Sequence, residues 1–221
     1  RTYPLRTSRI HFDGATNEGR RVDQKRNFKM IRRLAIATAA LAGATAPAFA
    51  HLNPAEHGSF AAGFSHPLFG IDHILVMVAV GVWAASLGKK AMMSVPAAFV
   101  GAMALGFAAA VLGMPLPFVE PVILSSVIFI GLMIALALPF STAGMAASVG
   151  FFAFFHGHAH GGELGAAGAA SFALGFVAAT AALHAAGVAL GLGFGRFGNA
   201  AVTRTAGLAT AVAGVALAFA A

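Results

Sequence analysis

Between Pro67 and Ala221 the chain is a succession of apolar runs, each close to the length that crosses a lipid bilayer. The six runs span approximately residues 67–87, 92–112, 121–138, 139–157, 164–192 and 205–221. Crossing the hydrocarbon layer as a helix takes about 20 residues. The fourth run, rich in Phe, approaches that length only by including part of a His-rich stretch. Lipid offers no partner for backbone N–H and C=O groups, so such runs are expected to be helical. Composition agrees: 59% of residues are hydrophobic and only 10% charged, against about 25% charged in an ordinary globular domain. The expected fold is an all-α membrane protein, a six-helix transmembrane domain over residues 51–221 that follows a cleaved signal peptide.

The signal peptide is read at residues 30–50. Met30-Ile31-Arg32-Arg33 gives a basic start, Leu34 to Ala46 an apolar stretch, and Ala48-Phe49-Ala50 a small-residue cleavage site. Cleavage there makes His51 the mature N-terminus. Residues 1–29 are polar and aperiodic, and are read as an upstream or non-native extension.

Charge is distributed unevenly. Residues 1–33 hold ten of the fourteen Lys and Arg and three of the seven acids, which is the whole formal net charge of +7. The remaining four bases (Lys89, Lys90, Arg196, Arg204) and four acids (Glu56, Asp72, Glu120, Glu163) cancel. The high isoelectric point therefore gives no support to nucleic-acid binding. With His51 outside, six spans put all four of those bases on the cytoplasmic side, as the positive-inside rule expects. The expected location is the bacterial inner membrane with a periplasmic mature N-terminus. Gly187, Gly191 and Gly195, at four-residue spacing, are read as tight packing within the chain. A homo-oligomer stays open.

Two stretches concentrate the chemistry. The first is His66-Pro67-Leu68-Phe69-Gly70-Ile71-Asp72-His73; the second is Phe155-His156-Gly157-His158-Ala159-His160-Gly161-Gly162-Glu163. They contain five of the nine histidines and two of the seven acids. Imidazole and carboxylate are ligands for divalent first-row metals. Such groups are costly inside a membrane and point to function. The chain has no cysteine, which excludes thiolate sites and disulfides.

In the first stretch, Pro67 suits the first turn of a helix. His66 then sits at its start, and His73, seven residues on, near the same face. Gly70 leaves space beside them. Met77, one turn past His73, is a weak sulfur ligand or core packing. In the second stretch His156, His160 and Glu163 follow i, i+4, i+7, which a helix would align; the glycines leave a frayed end or turn equally open. His158 and His160 also read as a water-exposed capture tract. His184 stands alone in the fifth span, as a pathway residue or a satisfied packing group. His51 and His57 would add capture ligands near the mature N-terminus. Glu120 reads as solvated.

The first stretch, continued through Ile74-Leu75-Val76-Met77, resembles the first-span signature of the HupE/UreJ family. Phe155, His156, Gly157, Ala159, Gly161 and Glu163 match that family's second signature, Phe-His-Gly-x-Ala-x-Gly-x-Glu. The resemblance covers essentially the mature chain and implies a nickel permease, with cobalt as a second substrate, serving hydrogenase or urease maturation. The metal residues are then His66, Asp72, His73, His156 and Glu163. His51, His57, His158, His160, His184 and Met77 form a secondary capture or pathway set. The expected partners are a divalent metal ion and the lipid bilayer. Ni(II), or Co(II), is substrate; no permanently bound cofactor and no enzyme activity are expected. No nucleotide-binding loop is visible. Two other readings use the same ligands: an intramembrane zinc-dependent enzyme, and a non-transporting subunit that delivers or senses metal.

Overall fold

The computed structural model describes residues 59–164, 168–197 and 200–220, all within one compact unit of residues 48–221. The expected signal peptide and extension, and His51 and His57, lie outside the described residues. Among the described residues every regular element is an α-helix: α1 (Phe60–Phe69), α2 (Ile71–Ser86), α3 (Lys89–Val111), α4 (Val119–Leu136), α5 (Thr142–Leu164), α6 (Ala169–Phe197) and α7 (Ala200–Ala220).

Four of these, α3, α4, α6 and α7, are long and apolar enough to cross a membrane by themselves. The pair α1 and α2, bent by 81° at Gly70, is a fifth candidate when counted as one broken span; the same geometry also describes a re-entrant loop. Helix α5 has 23 residues, about 34 Å at 1.5 Å per residue. Its C-terminal end carries His156, His158, His160 and Glu163, and it is not among the helices apolar enough to cross alone. Bulky apolar side chains point outward from the bundle, among them Met93, Leu105, Leu174, Val212 and Phe219. Such an exterior suits lipid and not water.

The break at Gly70 corrects an expectation. Pro67 does not open a helix that runs to residue 87; it lies in the last turn of α1, which begins at Phe60. Ser59 caps α1, its Oγ accepting the Ala62 N–H at 3.0 Å. Pro67 has no N–H to give the preceding turn, and the chain breaks three residues later at Gly70, whose backbone is extended. His66 and His73 therefore stand on two helices, and no single helix face aligns them. Two further boundaries move: α5, where the fourth run was expected, begins at Thr142 and continues to Leu164, and α6 begins at Ala169. Pro96 sits inside an unbroken α3, as membrane helices tolerate.

The closest packing couples α3 with α5 and α2 with α6, each pair running parallel; α4 packs antiparallel on α7. Glycine permits these approaches. A Cβ at Gly157 of α5 would collide with the Met103 carbonyl of α3, and one at Gly187 with the Val78 carbonyl of α2. Gly191 also faces α2, whereas Gly195 has open space beside it. Taking α2–α4 and α5–α7 as two halves, the first helix of each half packs on the second helix of the other.

The core is built from four-residue stripes. Val95, Phe99, Met103 and Phe107 of α3 face Met145, Val149 and Ala153 of α5 and Phe172 and Phe176 of α6. On α5 the same stripe continues into His156 and His160, both buried; on α6 it continues into Thr180 and His184, also buried. The histidines thus occupy core positions and face the bundle interior, where polar groups of membrane helices belong.

Candidate metal site

The break at Gly70 folds His66, at the end of α1, back over His73, in the first turn of α2. Their ring centroids lie 5.3 Å apart, edge to face. Gly70 itself is part of the device: a Cβ there would stand 2.6 Å from His73 Nδ1 and 3.1 Å from Asp72 Oδ1. The space expected beside Gly70 is filled by the His73 imidazole.

Asp72 and His73 are adjacent in sequence and bonded to each other. His73 Nδ1–H donates to Asp72 Oδ1 at 2.9 Å. A carboxylate only accepts, so this bond assigns the ring proton to Nδ1 and leaves Nε2 with a lone pair. Asp72 is partly exposed and His73 buried. The carboxylate also sits in the first turn of α2, where the helix dipole favours negative charge.

The lone pair of His73 meets the second stretch. His160 Nε2 lies 2.7 Å away, and with His73 Nε2 unprotonated, His160 Nε2–H is the donor. His156, one turn earlier on α5, places its ring 4.5 Å from His73. His66 lies 4.4 Å from His160 between centroids. Phe176 of α6 closes the apolar side, 5.0 Å from His160 and 6.1 Å from both His66 and His73.

Two overlapping ligand groups result. One donor atom each from His66, His73 and His160 lie within 4.8 Å of one another, and so do one each from Asp72, His73 and His156. His73 belongs to both. Nitrogen ligands bonded to one ion at about 2.0–2.1 Å are at most roughly 4.2 Å apart. Small side-chain movements would therefore let either group close on a cation. His156 Nε2 is buried with no hydrogen-bond partner, an unsatisfied atom of the kind that a bound ion accounts for.

Of the primary residues read from sequence, His66, Asp72, His73 and His156 come together here. Glu163 lies in the last turn of α5, and its side chain is outside the described part of the structure. His160, read from sequence both as the helical partner of His156 and as part of a water-exposed capture tract, is buried at the centre of the cluster. Its signal was the i, i+4 spacing to His156. Helix α5 continues through the glycines that made a helix doubtful, and two of them are packing positions: Cβ atoms at Gly157 and Gly161 would meet α3 backbone.

The remaining residues stand apart. His158 turns outward, its Nε2–H donating to the Met114 carbonyl at 2.7 Å in the α3–α4 connection. Met77 is fully buried in the hydrophobic core one turn beyond His73. Glu120 is exposed in the first turn of α4. His184 lies deeper, against Phe99.

No solved structure matches the chain. Protein HupE of Rhizobium leguminosarum bv. viciae is 45% identical over 183 residues, covering 81% of this chain and 95% of that protein. The family described as HupE / UreJ protein matches residues 39–217. With both signature stretches meeting in one buried cluster and the match extending over most of its length, the chain belongs to the HupE/UreJ family.

Proposed function

We propose that this protein is an inner-membrane permease that admits nickel(II), with cobalt(II) as a second substrate, from periplasm to cytoplasm for hydrogenase or urease maturation. The observation that carries this reading is the convergence of His66, Asp72, His73, His156 and His160 at one end of an otherwise apolar bundle. Glu163, three residues beyond His160 on α5, supplies a second carboxylate, which would balance a divalent charge. Four imidazoles with a carboxylate suit late first-row cations. His51 and His57, at the N-terminus left by cleavage after Ala50, and His158 gather the ion nearby.

The topology in this proposal has six spans, counting α1 with α2 as one and α5 as another. Lys89 and Lys90 open α3, Arg196 ends α6, and Arg204 near the start of α7 donates through Nε–H to the Ala135 carbonyl at 2.8 Å. All four fall at the end of the bundle away from the histidine cluster. The positive-inside rule then turns the cluster toward the periplasm.

The cluster gives the ion a route in. The proton shared between His160 and His73 lies where a cation would bond both nitrogens, so admission of the ion displaces that proton. Binding must remain weak enough for release, as conduction requires. The test is nickel flux into proteoliposomes holding the purified protein, with His73→Ala and Asp72→Asn alongside. Loss of flux in both variants supports the permease; equal flux in all three rejects it.

A further inference from the structure

We propose a second metal station at His184, through which the ion passes after leaving the outer cluster. This rests on the permease reading. Helix α6 presents Phe172, Phe176, Thr180 and His184 at four-residue intervals, all buried. Phe176 touches the outer cluster, and His184 lies eight residues further, roughly 12 Å along the axis at the rise of an α-helix. That is near the middle of α6, between the cluster and Arg196.

His184 is 1% exposed. Its Nδ1–H donates to the Thr180 carbonyl at 2.8 Å, which fixes the tautomer and leaves Nε2 as a lone pair. That Nε2 is buried and has no hydrogen-bond partner. A buried acceptor left bare is destabilising, and apolar packing alone would be served better by Phe or Leu. The backbone bond holds the imidazole in the form that ligates metals, as partners of metal-bound histidines do.

Its surroundings connect it to the outer cluster. Phe99 of α3 packs edge-on against His184 with centroids 4.7 Å apart, and its centroid is 6.2 Å from that of His156. One aromatic ring therefore separates the two stations. One turn beyond Phe99, Met103 Sδ accepts the Thr180 hydroxyl at 3.7 Å, which places a soft thioether beside the same turn of α6. An imidazole with a thioether nearby suits a late transition cation and not Mg²⁺ or Ca²⁺.

The experiment compares two quantities in wild type, His184→Phe and His184→Gln: nickel(II) flux into proteoliposomes, and equilibrium nickel(II) binding to the purified full chain. His184→Phe keeps an aromatic ring against Phe99 and removes the nitrogen. His184→Gln keeps a donor for the Thr180 carbonyl and removes the imidazole lone pair. The expected result is flux lowered by roughly 10–100-fold in both variants, with wild-type affinity retained at the outer cluster. Wild-type flux in either variant overturns the second station and leaves the outer site standing. No flux in the wild type overturns both.

Discussion

His73 Nε2 and His160 Nε2 lie 2.7 Å apart across 87 residues of sequence. One belongs to the helix that follows a sharp break, the other to a helix three elements later. Asp72 holds the outer nitrogen of His73, so its inner nitrogen is the one that faces His160. The contact joins the two signature stretches into a single cluster.

That contact sets His160 apart from its neighbour His158. His160→Ala and His73→Ala are both expected to weaken nickel binding by roughly 10–100-fold. His158 turns away to the Met114 carbonyl, so His158→Ala should leave affinity near the wild-type value. Isothermal titration of the three purified variants with nickel(II) checks the order.

Gly70 gives a subtler test. Its backbone, with φ of −82° and ψ of 114°, suits any residue, so Gly70→Ala is permitted by the main chain. The new methyl would press on His73 Nδ1 and disturb its bond with Asp72. Nickel affinity is expected to fall while the thermal midpoint changes little. A wild-type affinity in this variant would mean that the His73–Asp72 bond does not position the ligand.

The helix crossing behind the site predicts opposite effects for two nearby glycines. Gly157→Ala places a methyl against the Met103 carbonyl and should destabilise by about 1–3 kcal/mol, the usual cost of overpacking. At Gly162 a Cβ meets nothing within 4 Å. Gly162→Ala should be neutral or stabilise by up to about 1 kcal/mol, the helix-propensity difference. Thermal unfolding in one detergent compares them.

Uptake should also depend on pH. A ligand imidazole must be neutral, since the protonated ring has no lone pair to give. Histidine ordinarily takes up its proton near pH 6.5. Nickel flux is therefore expected to decline as external pH falls through that range and to recover on return. A flux that rises as external pH falls below that range would contradict an imidazole-lined route.

Much of the fold and of the site is legible in the sequence, and the limits are physical. The helical class comes from runs that only helices can carry through lipid. His66, Asp72, His73 and His156 are legible because imidazole and carboxylate are conspicuous among Ala, Gly, Leu and Val. The break at Gly70 is not: Pro67 suits a first turn as well as a last one, and the direction of the chain beyond it depends on tertiary contacts. The central place of His160 is hidden for the same reason. Glycines beside it weaken a helix locally, yet here they admit the backbone of α3, and that packing outweighs propensity. His184 is visible as a lone polar residue; its bare Nε2 and its relation to Phe99 emerge only in three dimensions.

The most direct test of the shared site is nickel K-edge X-ray absorption on the purified, nickel-loaded protein. If His66, Asp72, His73, His156 and His160 surround one ion, the spectrum will show at least three imidazole ligands, and His73→Ala will lower the imidazole count by one. A nickel environment of water and other oxygens, or an imidazole signal unchanged in His73→Ala, would contradict it.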